Sequence, residues 1–170
     1  MLQRGMDVFS IYDRLFSSGF EGGIDIGCVH DDLPQRTDLL KPYPKILLSA
    51  AMGPWEAGAS EIKASDPDFE FSKLKSEGLI MNELAELRRN IGLYKPSFIG
   101  EIGLDYYWEY GNHSKQKLIF ETQMDWAQEL GLCVLIHDRD ADDDVIGAIR
   151  RIGPSKGGVI HCFNGCRTLM

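Results

Sequence analysis

The sequence predicts an α/β fold in which parallel strands alternate with crossover helices. Short apolar runs typical of buried strands recur along the chain, and the segments between them have helical periodicity and are too long for hairpin turns. Gly19, Gly131 and Gly153 each follow a helical segment shortly before the next strand, where a left-handed helix cap is expected. This alternation is compatible with a doubly wound sheet and with a (β/α)8 barrel.

Five strands and four helices account for most of the chain. The strands are predicted at residues 23–28, 45–52, 97–102, 132–137 and 158–162. Helices are predicted at residues 7–18, 71–91, 114–130 and 142–152, each with apolar residues three or four positions apart. Three aspartates open the last helix, where they complement its N-terminal dipole. Residues 53–68 are rich in Gly, Ala, Ser, Asp and Pro and are predicted to form a long loop after the second strand.

The amino-acid composition and charge limit the classes of protein to which this chain can belong. The 170 residues are 44% hydrophobic, which suits one globular domain with a core. The net charge of −8 argues against capture of nucleic acid by a broad basic surface, although bound cations can still hold an anionic substrate. The four cysteines lack zinc-finger or disulfide spacing, which indicates reduced thiols of a cytoplasmic protein. No apolar run approaches the ~18 residues needed to span a membrane, and no secretion signal is recognisable at the N-terminus.

One apolar run, FIGEIGLDYY at 98–107, carries a glutamate that would be costly to bury without a partner. Two other strands end in histidine, so Glu101, His137 and His161 all lie at carboxyl ends of parallel strands, where functional residues collect. A carboxylate and two imidazoles suit zinc or manganese, and leave a position open for water. Alternatively, the histidines are hydrogen-bonded core residues and Glu101 pairs with an arginine such as Arg139.

Several segments resemble the TatD family of metal-dependent hydrolases, in the family's order and spacing. They are GEIGLDYY (100–107), KQKLIFETQ (115–123), LIHDRDA (135–141) and IHCFNG (160–165), preceded by FSSGFEGGIDIG (16–27) and SAAMGPWE (49–56). The resemblance implies a TIM-type (β/α)8 barrel in which two divalent ions (zinc, manganese or magnesium) activate water to cleave phosphodiester bonds. Several members are deoxyribonucleases, so DNA or a nucleotide diester is the implied substrate.

The resemblance also assigns roles to individual residues. Glu101 would bridge the two ions, and His137 and His161 would complete one of the two metal sites. Arg139 would contact a substrate phosphate. Asp105 would contact the metal ligands without binding the ions itself. Tyr106, in the aromatic run after the strand, could stack on a base, although packing of the loop is the favoured role for it.

The sequence departs from the family pattern in three places. The His-x-His pair of the first strand is absent, Gly53 stands where the third strand has a histidine, and the aspartate that serves as general base is expected beyond Met170. Residues 1–170 are therefore expected to form a single partial barrel of strands two to six, with at most one ion. Little hydrolysis is expected from this chain alone, and its open sheet edges are expected to favour self-association.

Two other functions remain open. The first is a hydrolase of the broader amidohydrolase type, which would share the metal chemistry but attack amide or ester carbonyls. The second is a non-catalytic, truncated paralogue that keeps the scaffold and a vestigial metal site.

Overall fold

The computed structural model describes residues 7–58, 75–108 and 112–161, and these residues form alternating helices and strands. In chain order the elements are α1 (Val8–Ser17), β1 (Gly23–Asp25), α2 (Leu33–Leu40), β2 (Ile46–Ala50), a 3₁₀ helix (Pro54–Ala57), α3 (Glu77–Tyr94), β3 (Phe98–Asp105), α4 (His113–Leu130), β4 (Cys133–Arg139), α5 (Asp142–Ile152) and β5 (Gly158–His161). Parts of the predicted loop at 53–68 and of the predicted helix at 71–91 lie outside the described residues, as do Cys162 and Cys166.

The five strands form one parallel sheet in the order β1-β2-β3-β4-β5. A doubly wound sheet needs a point at which the strand order reverses, and this sheet has none among its described strands. Sequential order with intervening helices is the arrangement of a TIM-type barrel, here present as a curled partial barrel. The predicted fold class is therefore confirmed, and the barrel alternative is the correct one.

The helix ends follow local chemistry that the sequence largely predicts. Gly131 and Gly153 adopt the left-handed conformation that closes α4 and α5, and Gly19 has positive φ just after α1. Asn112 caps α4 through its side chain, which accepts from the backbone N–H of Lys115. No described helix has the length and apolar character required to cross a membrane.

The sequence prediction missed α2 and the 3₁₀ helix. The α2 segment, LPQRTDLL, is short and mostly polar, so it has no extended apolar period, although Pro34 lies in its first turn, where proline is favoured. Its inward-facing arginine, Arg36, is buried and binds Asp25, Asp32 and the carbonyl of Ser49. The helix is thus held by tertiary ion pairs that no helical pattern reveals.

The main core fills the space between the outer face of the sheet and the helices. Its largest fully buried apolar side chains come from α2, α3, α4, β3 and the residues after β2: Leu33, Ile80, Leu84, Leu87, Ile119, Phe120, Met124, Ile99, Ile102, Leu104 and Met52. A smaller cluster centred on Tyr43 packs α1 against α2 and β2. This packing positions β3 and β4, which carry Glu101, Asp105 and His137 of the candidate site.

Candidate metal centre

Glu101 lies in the middle of β3, is only 7% exposed, and meets two imidazoles. The Nδ1 atom of His137 lies 3.1 Å from Glu101 Oε1, and the Nδ1 atom of His161 lies 2.9 Å from the same oxygen. The pairing of β3 with β4 is irregular between Ile99 and Ile102, and the Glu101 N–H donates to the carbonyl of Gly27 instead. The structure thus brings three of the predicted site residues together around one carboxylate oxygen.

The carboxylate and the imidazoles stabilise each other's charged forms. Burial raises the pKa of Glu101, but the hydrogen bonds and charges of His137 and His161 outweigh burial and hold this pKa below its ordinary value. Burial lowers the pKa of His137, but its hydrogen bonds to Asp105 and Glu101 outweigh this effect and raise that pKa to about 9. Without a bound cation, His137 is therefore an imidazolium at neutral pH.

Asp105, at the end of β3, is buried and contacts the opposite side of His137. Its Oδ2 atom accepts from His137 Nε2 at 3.0 Å, and its Oδ1 atom accepts from the backbone N–H groups of Tyr107 and Trp108. The carboxylate therefore holds the imidazole ring in one orientation, with Nδ1 directed at Glu101.

The side chains of two buried glutamines on one face of α4 form hydrogen bonds with the backbone at or just after the ends of β3 and β2. Gln116 accepts from the N–H of Asp105 at 2.9 Å and donates to its carbonyl at 3.0 Å. Seven residues later, Gln123 accepts from the N–H of Met52 and donates to its carbonyl, both at 2.8 Å. Each amide replaces a missing backbone partner, so α4 positions the residues that follow β2 and β3.

The change Gln116→Leu is expected to reduce the free energy of unfolding by about 2 kcal/mol, because it leaves two buried backbone groups of Asp105 without partners. Chemical denaturation measures this loss. Gln128→Leu, on the exposed side of the same helix, serves as the control and should cost much less. Equal losses in the two variants would contradict the structural role given to Gln116.

The two predicted substrate-binding residues occupy different surroundings. Arg139 is exposed at the end of β4, and its guanidinium lies 3.9 Å from the ring centre of Tyr107. Tyr106 is turned toward the helices: its ring stacks on His113 at 3.6 Å between centroids, and its hydroxyl donates to Asp144. The structure therefore leaves Arg139 at the rim of the centre and engages Tyr106 in contacts with α4 and α5.

Trp55 is a neighbour of the centre that the sequence did not predict. Its ring meets the His137 ring edge-on at 5.8 Å between centroids, and its Nε1 atom donates to the carbonyl of Cys28. A Cβ at Gly53 would lie only 2.3 Å from the indole ring. The missing side chain at position 53, where the family pattern has histidine, thus leaves the space that the indole occupies.

Gly53→Ala is therefore expected to displace the Trp55 indole, with a modest cost of about 1 kcal/mol because an aromatic side chain can swing aside more easily than backbone. The fluorescence of Trp55, measured with Trp108 and Trp126 replaced by phenylalanine, should shift. Gly78→Ala, at an open position in α3, is the matched control. An unchanged Trp55 spectrum in Gly53→Ala would refute this packing.

Comparison with known proteins agrees with this architecture. A family model described as TatD related DNase matches residues 5–170. The uncharacterized metal-dependent hydrolase MG009 of Mycoplasma genitalium is 30% identical over 140 residues, which cover 82% of this chain and 47% of that protein. The 3'-5' ssDNA/RNA exonuclease TatD of a Pantoea species is 39% identical over 70 residues, which cover 41% of this chain and 27% of the exonuclease.

Solved structures share the fold. The YJJV TatD homolog of Escherichia coli matches with a TM-score of 0.67 at 20% identity, over 95% of this chain and 57% of that one. A TatD family hydrolase of Entamoeba histolytica matches with a TM-score of 0.63 at 24% identity, over 90% and 48% respectively. This chain thus spans about half or less of the length of the curated relatives named above. With the family model matching almost its whole length, the chain belongs to the TatD-related DNase family of metal-dependent hydrolases.

Proposed function

We propose that Glu101, His137 and His161 hold a divalent metal ion in an enzyme that hydrolyses phosphodiester bonds of DNA. The observation that carries this proposal is the convergence of two imidazole nitrogens on one buried carboxylate oxygen. Three such groups form a ligand set for zinc or manganese rather than for calcium, which prefers oxygen alone. The donor chemistry of the residues therefore fits the metal dependence of the family.

Each residue has a defined part in this site. An ion bound here would lower the pKa of a coordinated water so that it can act as a nucleophile near neutral pH. Glu101 and the two histidines would supply the ligand atoms. Asp105 would hold the His137 ring through Nε2, which leaves Nδ1 for the ion. The Nδ1 proton of His137 must leave before the metal binds.

Substrate recognition is proposed for Arg139. It stands two residues beyond His137, is exposed, and rests against Tyr107. A guanidinium held in this way can form paired hydrogen bonds with a phosphate. Support for DNA as substrate comes from the exonuclease named among the relatives. Tyr106 is less suited to base stacking, because His113 already covers its ring.

Three further properties belong to this proposal. The five strands correspond to strands two to six of a TIM-type barrel, within a single domain over residues 1–170. A cytoplasmic location is supported by the free thiols of Cys28 and Cys133. Self-association is supported by exposed apolar side chains on three strands, namely Ile24, Leu47 and Val159.

A hydrolysis assay tests the proposed function. This chain, loaded with zinc or manganese, is incubated with an end-labelled single-stranded oligonucleotide and, separately, with a cyclic amide. Metal-dependent release of nucleotides is expected. His161→Ala should abolish the release, and Arg139→Gln should raise KM. Cleavage of the cyclic amide alone would favour the amidohydrolase alternative, and no hydrolysis by metal-loaded protein would favour the non-catalytic one.

A further inference from the structure

A second group of metal-ligating side chains lies outside the Glu101-centred site. His30 follows β1, Glu56 belongs to the 3₁₀ helix after β2, and Glu83 lies on α3. One potential ligand atom from each residue lies within 4.8 Å of the other two. The three side chains are 16%, 10% and 13% exposed respectively, so they are largely withdrawn from water. We propose that these three residues form a second divalent-cation site, distinct from the candidate metal centre.

Glu56 is oriented toward such an ion by His30. The backbone N–H of His30 donates to Glu56 Oε2 at 2.7 Å, and His30 Nδ1 lies 2.8 Å from Glu56 Oε1. The Oε2 atom of Glu56 thus accepts a backbone hydrogen bond that fixes the carboxylate, and the Oε1 atom faces the imidazole nitrogen.

A cation already stands between the two carboxylates. The Nζ atom of Lys75 lies 2.7 Å from Glu83 Oε2 and 3.7 Å from Glu56 Oε1, the oxygen that also faces His30. An ammonium group in this position shows that the cluster attracts positive charge. A divalent ion bound by neutral His30 and two carboxylates would balance the charge of the site without Lys75. Lys75, which is 24% exposed, would be free to turn to solvent.

The ligand types indicate which ion the site takes. One imidazole with two carboxylates suits zinc, whereas calcium and magnesium favour oxygen ligands throughout. An ion here would join the loop after β1, the 3₁₀ helix and α3. Glu56 directly follows Trp55, which contacts His137, so the ion would also stiffen one wall of the candidate metal centre. Its role is therefore structural rather than catalytic.

Zinc titration calorimetry on the full chain tests the proposal, with Glu101→Gln present throughout to remove the candidate metal centre. One zinc ion per chain is expected in this background. Adding Glu83→Gln or His30→Gln should weaken binding by more than about a hundredfold, because loss of a ligand exceeds the effect of losing a supporting group. Adding Lys75→Met should tighten binding by roughly threefold or more, because it removes a competing ion pair. Glu86→Gln, exposed on the same helix, should have no effect.

The outcomes separate this site from the proposed function. Absence of zinc binding in folded Glu101→Gln protein, or binding that survives both Glu83→Gln and His30→Gln, would overturn the second site while leaving the Glu101 centre intact. Circular dichroism shows whether each variant is folded. Should a ligand variant fail to fold, Lys75→Met decides, since unchanged affinity in that variant also contradicts the proposal. Calcium in place of zinc should bind much more weakly.

Discussion

Replacing Glu101 by glutamine is expected to weaken zinc binding at the candidate metal centre by more than about a hundredfold. Both imidazoles approach this carboxylate, and glutamine keeps its size but not its charge. Calorimetry measures the affinity, with Glu83→Gln present in all samples so that the second proposed site does not contribute. His137→Ala and His161→Ala should cause losses of the same order.

Two controls define the specificity of this result. Asp105→Asn should weaken binding by about 10–100-fold, because it disturbs the orientation of His137 without removing a ligand. Glu129→Gln, on the exposed end of α4, should leave the affinity unchanged. Zinc affinity that is equal in wild-type and Glu101→Gln protein would show that Glu101 is held by the two histidines alone. The motifs around it would then be inherited from a metal-binding ancestor and have no metal-binding role in this chain.

The affinity for zinc at this centre is also expected to depend steeply on pH. Because the pKa of His137 is raised to about 9, the ring carries a proton at neutral pH that zinc must displace. The affinity should therefore rise by about tenfold per pH unit well below that value, or roughly fiftyfold between about pH 7 and about pH 9. Calorimetry in buffers of different ionisation enthalpy should detect close to one proton released per ion bound. A flat profile would show that His137 is not a ligand.

The metal-free protein should show the opposite dependence in its stability. A histidine whose pKa is raised on folding stabilises the native state fully below its ordinary pKa of 6.5, and this contribution is lost as the pH rises through about 9. The expected loss is on the order of 2 kcal/mol, because the ring is partly exposed. Thermal melts of wild-type and His137→Gln protein across this range provide the measurement, and the variant should lack the decline.

Part of the candidate metal centre could be predicted from the sequence, because functional residues in parallel sheets collect at the carboxyl ends of the strands. Strand pairing places His137 opposite His161, so the histidines of these two neighbouring strands meet at one edge of the sheet. Glu101 lies in the middle of β3, where the pairing with β4 is irregular. Glu101 was recognisable because a charge inside an apolar run needs a partner. The predicted meeting of the two histidines therefore followed from strand periodicity, and that of Glu101 with them from its need for a partner.

The supporting contacts could not be predicted in the same way. Gln116 and Gln123 have helical spacing typical of any buried face, and only the docking of α4 shows that each amide meets a backbone at the end of a strand. In the sequence, Trp55 is typical of any aromatic residue in a loop. Only the structure shows that Gly53 leaves the space that its ring occupies. Short, polar α2 likewise depends on the buried ion pairs of Arg36.

By itself, the sequence determined the α/β alternation, the family, and the strands that carry Glu101, His137 and His161. These features depend on the order of residues along the chain, through strand periodicity and local caps. The tertiary structure alone decided that Asp105 holds the far side of His137, and that His30, Glu56 and Glu83 meet around Lys75. These groups come from different loops and helices, and their approach depends on how the elements pack, for which no fixed spacing in the chain exists.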